Sequence, residues 1–156
     1  MKIVKPLDDQ SYPPLPDHIG WRVWRVAALW KRQFDDAMVT RGFGWFAEAR
    51  SGVLAHVGPK GVKQSLLGPK MGVTKQAAQQ FVDDLVVDGI ATRVPDPDDG
   101  RGKLVVLTAE GLEVMVIANQ VKAEIESRYR VSLGDAAFDQ LMQSLGILGD
   151  GVPPRR

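Results

Sequence analysis

Lys75, Gln76, Gln79 and Gln80 recur at the spacing of one helix face, while Ala78, Phe81, Val82 and Leu85 recur on the other. A glutamine amide offers a donor and an acceptor side by side, which suits the edge of adenine. A lysine ammonium suits guanine or a phosphate. Thr74 precedes the helix, where its hydroxyl can accept a bond from an unpaired backbone N–H of the first turn. Asp83 shares the polar face and, being a carboxylate, is expected to lie beyond the wall of any nucleic-acid groove. A short way on, Asp96, Pro97, Asp98, Asp99, Gly100 and Arg101 form a charged turn between two short apolar runs.

The elements that must hold these residues follow from pattern. Residues 18–41 read as a long helix, stopped by Gly42 and Gly44, and residues 45–57 as a second helical segment closed by Gly58 and Pro59. Residues 62–71 read as a third helix with a flaw. Pro69 stands past its first turn, so this helix is short, starts late or is kinked. Gly72 allows a tight turn, and the helix opened by Thr74 runs to about residue 88, with Gly89 as its stop. Residues 90–94 and 103–107 read as strands of a hairpin with a long tip. Thr108 is the expected cap of a helix to about residue 131, striped by Val114, Ile117, Ala118, Val121, Ile125 and Tyr129. Ser132 and Asp135 have capping-box spacing for a last helix whose apolar face is Phe138, Leu141, Met142, Leu145 and Leu148. Helix, turn, helix, hairpin, helix is the order of a winged helix-turn-helix. The expected fold class is therefore mostly α with a small β-hairpin wing.

Length predicts one domain. The expected division is an extended Pro-rich arm at 1–17, a winged-helix domain at 18–148 and a flexible tail at 149–156. Within the domain, the winged module spans about 60–108, flanked by helical regions at about 18–44 and 109–148 whose apolar faces suit a monomer core or dimerisation alike. Net charge is +1, so the total favours no partner, but its distribution is uneven. Residues 60–82 hold Lys60, Lys63, Lys70 and Lys75 with no acid, and residues 18–34 hold Arg22, Arg25, Lys31 and Arg32 with none. Absence of cysteine removes disulfides and thiolate chemistry. There is no Gly-rich phosphate loop or nucleophile elbow, the two histidines do not cluster, and the acids of the turn lack calcium-loop spacing. No enzyme activity, metal or cofactor is therefore expected. No signal peptide or membrane-length apolar run is present, which predicts a cytoplasmic protein without membrane contact.

From Gly72 to Gly111 the string GVTKQAAQQFVDDLVVDGIATR, then DPDDGR, then LTAEG, resembles the MarR family of winged-helix transcription regulators. Asp96, Pro97, Asp99 and Arg101 match the family's wing motif. Leu107, Thr108 and Gly111 match the strand end and the next helix start, and Leu85 and Gly89 match the core and stop of the recognition helix. The resemblance implies a homodimer whose terminal helices interlock, each subunit offering one winged module to half of a palindromic operator in double-stranded DNA. It implies that Arg101 reaches the minor groove and that Asp99, with Asp96, orients the wing. Lys63, Lys70 and Lys103 are then candidate phosphate contacts, beside Thr74, Lys75, Gln76, Gln79 and Gln80 on the reading helix. It further implies a repressor released by a small aromatic or anionic effector, bound near Trp24, Trp30, Trp45, Phe46 and Arg25. Two features depart from the family: Pro69 in the supporting helix, and Gln80 where arginine is common.

Each assignment has a plainer alternative. The polar helix face can be solvated surface, Arg101 can pair with a neighbouring aspartate, and the tryptophans can be core or dimer packing. The alternative for the whole chain is a winged-helix adaptor that binds protein without reading DNA.

Overall fold

Threonine caps and glycine stops set the boundaries of the central elements in the computed structural model, which describes residues 17–150 apart from the side chains of Gly100 and Arg101. Nearly all of the expected arm and most of the tail lie outside the described residues. The chain falls into two compact units, residues 1–32 and 33–156. In the first, the described part is the start of helix α1 (Ile19–Thr40), where Trp21 stacks on Trp24 at 4.9 Å and Arg22 pairs with Asp17.

In the second unit α1 gives way after Thr40 to a turn at Arg41 and Gly42, where Gly42 has φ 90°. The helical segment expected over 45–57 is instead two 3-10 turns, Gly44–Ala47 and Ala49–His56. Gly44 and Gly52 weaken a regular α-helix here, and the tighter turns still bury Phe46, Val53 and Leu54. A two-residue strand follows, β1 (Val62–Lys63), and then α2 (Gln64–Met71). The helix expected from residue 62 starts late because Val62 and Lys63 pair with Val105 and Leu104. Pro69 remains inside α2 as its sixth residue, so the bond to the Ser65 carbonyl is lost. Gly72, at φ 66°, ends the helix.

Helix α3 (Lys75–Val87) is capped by Thr74, whose hydroxyl accepts from the Ala77 N–H at 3.1 Å. Ala78, Val82 and Leu85 are buried, and Lys75, Gln76, Gln79 and Gln80 are exposed. Strands β2 (Ala91–Asp96) and β3 (Asp99–Leu107) complete a three-stranded antiparallel sheet in the order β1, β3, β2. The hairpin tip is short, not long: Asp96 pairs with Asp99 across a turn at Pro97 and Asp98. The Asp96 carboxylate accepts from the Asp98 N–H at 3.0 Å, closing that turn with a side chain.

Thr108 ties four elements together. Its hydroxyl donates to the Gly89 carbonyl at 2.6 Å and accepts from the Gly111 N–H at 3.0 Å, and its own N–H donates to the Ile90 carbonyl. Helix α4 (Ala109–Leu133) starts there and buries Val114, Ala118, Val121 and Ile125. It runs past the expected capping box. Ser132 donates back to the Arg128 carbonyl, and α5 (Asp135–Gly149) begins at Gly134 without a side-chain cap. The elbow is held instead by Arg130, which lies over the Phe138 ring and pairs with Asp139 at 2.9 Å. On α5 only Phe138 is buried; Leu141, Met142, Leu145, Ile147 and Leu148 are exposed.

Candidate nucleic-acid interface

The late start of α2 and the short wing tip bring three lysines to one place. Lys63 ends β1, Lys75 opens α3 and Lys103 lies on β3. All three border a cleft of about 220 Å³, together with Gln64, Ser65 and Asp99. No side chain caps the start of α2, so the positive end of its backbone dipole adds to the lysine field at the Gln64 and Ser65 edge. Next to the cleft, α3 presents Gln76, Gln79 and Gln80 outward. Lys70 is exposed in the last turn of α2 and does not border the cleft.

The lysines differ in how far they are committed. Lys63 pairs at 2.8 Å with Asp96, whose side chain is only 2 % exposed. The hydrogen-bonded carboxylate of Asp96 raises the Lys63 ammonium above its ordinary value, with Asp99 and Asp98 adding to the effect. Reciprocally, Lys63 holds the Asp96 carboxyl below its ordinary value, helped by the Asp98 N–H. Lys63 is thus an anchor between β1 and the wing before it is a contact for anything else. Gly102 backs this knot, since a Cβ there would meet Asp96 and Asp99 atoms at 3.1 Å. Side-chain placement of Arg101 lies outside the described residues, although its backbone is part of β3.

The acids of α3 and its C-terminal cap are partnered individually. Asp83 binds Arg93 of β2 at 2.5 Å, and the same guanidinium donates to the Gln64 amide oxygen at 2.7 Å. Asp84 accepts from the Gln80 amide at 2.8 Å. Asp88 pairs with Arg50, which also reaches Glu48. Asp83 therefore stays on the polar face with its charge answered by Arg93. Arg93, Gln64 and Ser65 are absent from the residues that sequence periodicity singles out. Arg93 pairs across 10 residues with Asp83 and across 29 with Gln64, so no local pattern marks it.

The aromatic residues considered for an effector divide between the two units. Trp24 and Arg25 line one surface hollow with Trp21, Arg22 and Arg32, and Trp30 belongs to the same unit. In the other unit Phe46 is buried edge-to-face against Phe34, so it serves the core, and Trp45 stacks on Phe46 beneath the Arg50 guanidinium. Among the described residues no group of His, Asp or Glu is arranged for a metal, and no helix is long and apolar enough to cross a membrane.

Comparison with known proteins matches residues 49–102, from the second 3-10 turn into the wing, to the MarR family model. An uncharacterized protein of Mycobacterium tuberculosis is 27% identical over 123 residues, covering 79% of this chain and 84% of that one. A MarR-family transcriptional regulator from Rhodococcus sp. RHA1 superposes with a TM-score of 0.67 at 25% identity, over 83% of this chain and 91% of the other. CouR from Rhodococcus jostii RHA1, bound to p-coumaroyl-CoA, superposes with a TM-score of 0.68 at 25% identity, over 89% and 96% of the two chains. The repressor CouR on a 23-mer DNA duplex shares the fold, with a TM-score of 0.68 at 21% identity over 85% and 92%. The family match falls on the module that carries the polar helix face and most of the lysine cleft, the fold match extends over both flanking helices, and the chain is thus similar to the winged-helix transcription regulators of the MarR family.

Proposed function

We propose that this chain is a homodimeric, sequence-specific DNA-binding regulator, acting as a repressor that a small aromatic or anionic ligand releases. The observation that carries this is the lysine cleft at the root of the wing, set beside the outward face of Gln76, Gln79 and Gln80. The α3 helix enters the major groove and its glutamines read base edges. Gln80 gives one amide hydrogen to Asp84, which leaves a second hydrogen and the carbonyl for the donor and acceptor edge of adenine. Lys75, Lys103 and Lys70 hold phosphates, Lys63 does so from its anchored position, and the Thr74 hydroxyl retains a hydrogen to donate. Arg101 extends from the wing to the minor groove, with Asp96 and Asp99 orienting the wing behind it. CouR's DNA duplex supports the nucleic-acid partner. CouR's acyl-CoA supports the ligand class, as does the hollow that pairs Trp21 and Trp24 with Arg22, Arg25 and Arg32. Residues 18–148 act as one winged-helix domain in this scheme. The exposed apolar faces of α1 and α5 meet a second copy.

The test is selection from a pool of random duplexes at two salt concentrations, with the bound fraction sequenced. An enriched palindrome with half-sites about 34 Å apart is the expected outcome. Salt-sensitive binding without enrichment would remove the sequence-reading role. No binding at either salt would replace it with the adaptor role.

A further inference from the structure

Arg93 does not border the lysine cleft, yet it bonds to two other elements of the candidate interface. It sits on β2 opposite Val105, three residues before the wing-tip carboxylate of Asp96. Its Nε donates to Gln64, the first residue of α2, and its terminal amine donates to Asp83, on the polar face of α3 one turn beyond Gln79 and Gln80. One guanidinium therefore links the wing strand to both helices of the helix-turn-helix. The side chain is 21% exposed, against 43% for Asp83, so the link is partly withdrawn from solvent. We propose that Arg93 is a positioning residue, a strut that fixes the reading helix against the wing so that both grooves are engaged in register. The proposal rests on the DNA-binding reading above.

Three physical points favour a strut over a further phosphate contact. The fork of the guanidinium is already divided between two acceptors on two elements, and a planar fork holds such a pair where a lysine ammonium would hold one at a time. Its charge is spent on Asp83, an acid that would otherwise face the phosphates. At the polar edge of the module the other ties are slight, because β1 has only two residues and α2 carries Pro69. Beyond the apolar core and the Thr108 knot, the polar edge between wing and reading helix is held by charged side chains, with the Lys63 and Asp96 pair holding the tip and Arg93 holding the helix.

The experiment compares operator binding by the full chain and by the charge-neutral double variant Arg93→Gln with Asp83→Asn, each with and without Arg101→Ala, at several salt concentrations. In the parent, Arg101→Ala is expected to weaken binding between about fivefold and 150-fold. In the double variant the same change is expected to cost less than about threefold, because a wing out of register gains little from its tip. The slope of affinity against salt is expected to stay the same, since no phosphate contact is removed. Full additivity of the losses overturns the strut. So does a slope reduced by about 0.9, which would make Arg93 a phosphate ligand. If the double variant melts below the assay temperature, Arg93→Lys replaces it. It keeps the charge, loses the fork and is expected to reduce the Arg101 effect at least twofold; an undiminished effect overturns the strut. A parent chain that binds no duplex defeats the DNA-binding reading itself, an outcome distinct from parental binding with independent losses.

Discussion

The winged module and the terminal helices solve the burial problem in opposite ways. Within the module, Val62, Leu67, Val82, Leu85 and Val105 are buried against one another's elements, Thr74 and Thr108 cap their helices, and the acids of α3 each have a partner. Helix α5 and the start of α1 are apolar without being covered. Ile19, Trp24 and Val26 on one, and Met142, Leu145 and Ile147 on the other, stay exposed. Isolated exposed apolar residues need no explanation, but runs of them on two helices do. The module is complete as one copy of the chain. The terminal helices have surface left over, which a second copy would use.

The sharpest way to break that contrast is to damage the module from within. A side chain at Gly111 would overlap the Ile90 carbonyl, the same group that accepts from Thr108. Gly111→Val is expected to destabilise the chain by about 3 kcal/mol or more, read by urea or thermal unfolding. A loss under about 1 kcal/mol would mean that the knot yields and the module is less self-sufficient than its packing suggests. On the other side of the contrast, Leu141→Asp with Leu145→Asp should leave the helical signal of the module intact while weakening self-association by about 2–4 kcal/mol, read by sedimentation equilibrium. A parent chain that sediments as a monomer at all concentrations would instead assign those faces to some other partner. A smaller effect separates readers from holders inside the module. Gln76→Ala should relax base preference at one position for about 1–2 kcal/mol, whereas Lys70→Ala should weaken all sequences alike and flatten the salt dependence. Identical behaviour of the two would dissolve the distinction.

Legibility followed the same divide between local and distant causes. Both threonine caps, the Gly72 and Gly89 stops and the buried face of α3 were readable, because each depends on residues within a turn or two. The string from Thr108 to Gly111 was readable as a motif, and its cause is the knot with Ile90. Missed features depended on pairing across the chain. Strand β1 is too short for any periodicity and exists because β3 runs beside it. The wing tip read as a long loop because its composition is that of a turn, while the Asp96 side chain closes it over two residues. Ser132 matched a capping box but used its hydroxyl on its own helix, a competing local bond open to any serine. Of the interface, the polar face of α3 and the lysines were legible by type. That Lys63 is anchored to Asp96 and that Arg93 answers Asp83 were not.

The smallest effect concerns that anchor, and it tests whether the wing is held by charge or only by its strand pairing. Lys63 holds the Asp96 carboxyl below its ordinary value of 3.8, so the pair's contribution is fully present above that pH and is lost as pH falls through the lowered value. Asp96 raises Lys63 above its ordinary 10.5, so the same contribution is fully present below that pH and fades only as pH rises through the raised value. Between these limits the anchor is constant. The stability difference between the parent and Asp96→Asn should therefore be flat from about pH 5 to pH 9, narrowing in acid and again in strong base. Amide exchange at the wing should be faster in Asp96→Asn throughout the flat region, because the side chain that closes the turn has lost its ionic partner. A step near pH 6–7 that Asp96→Asn abolishes would place the titration on another group and remove the anchor. Unchanged exchange would leave β2 and β3 pairing as all the wing needs. The strut of Arg93 would then be the charged contact, among the described residues, that registers the wing against the reading helix.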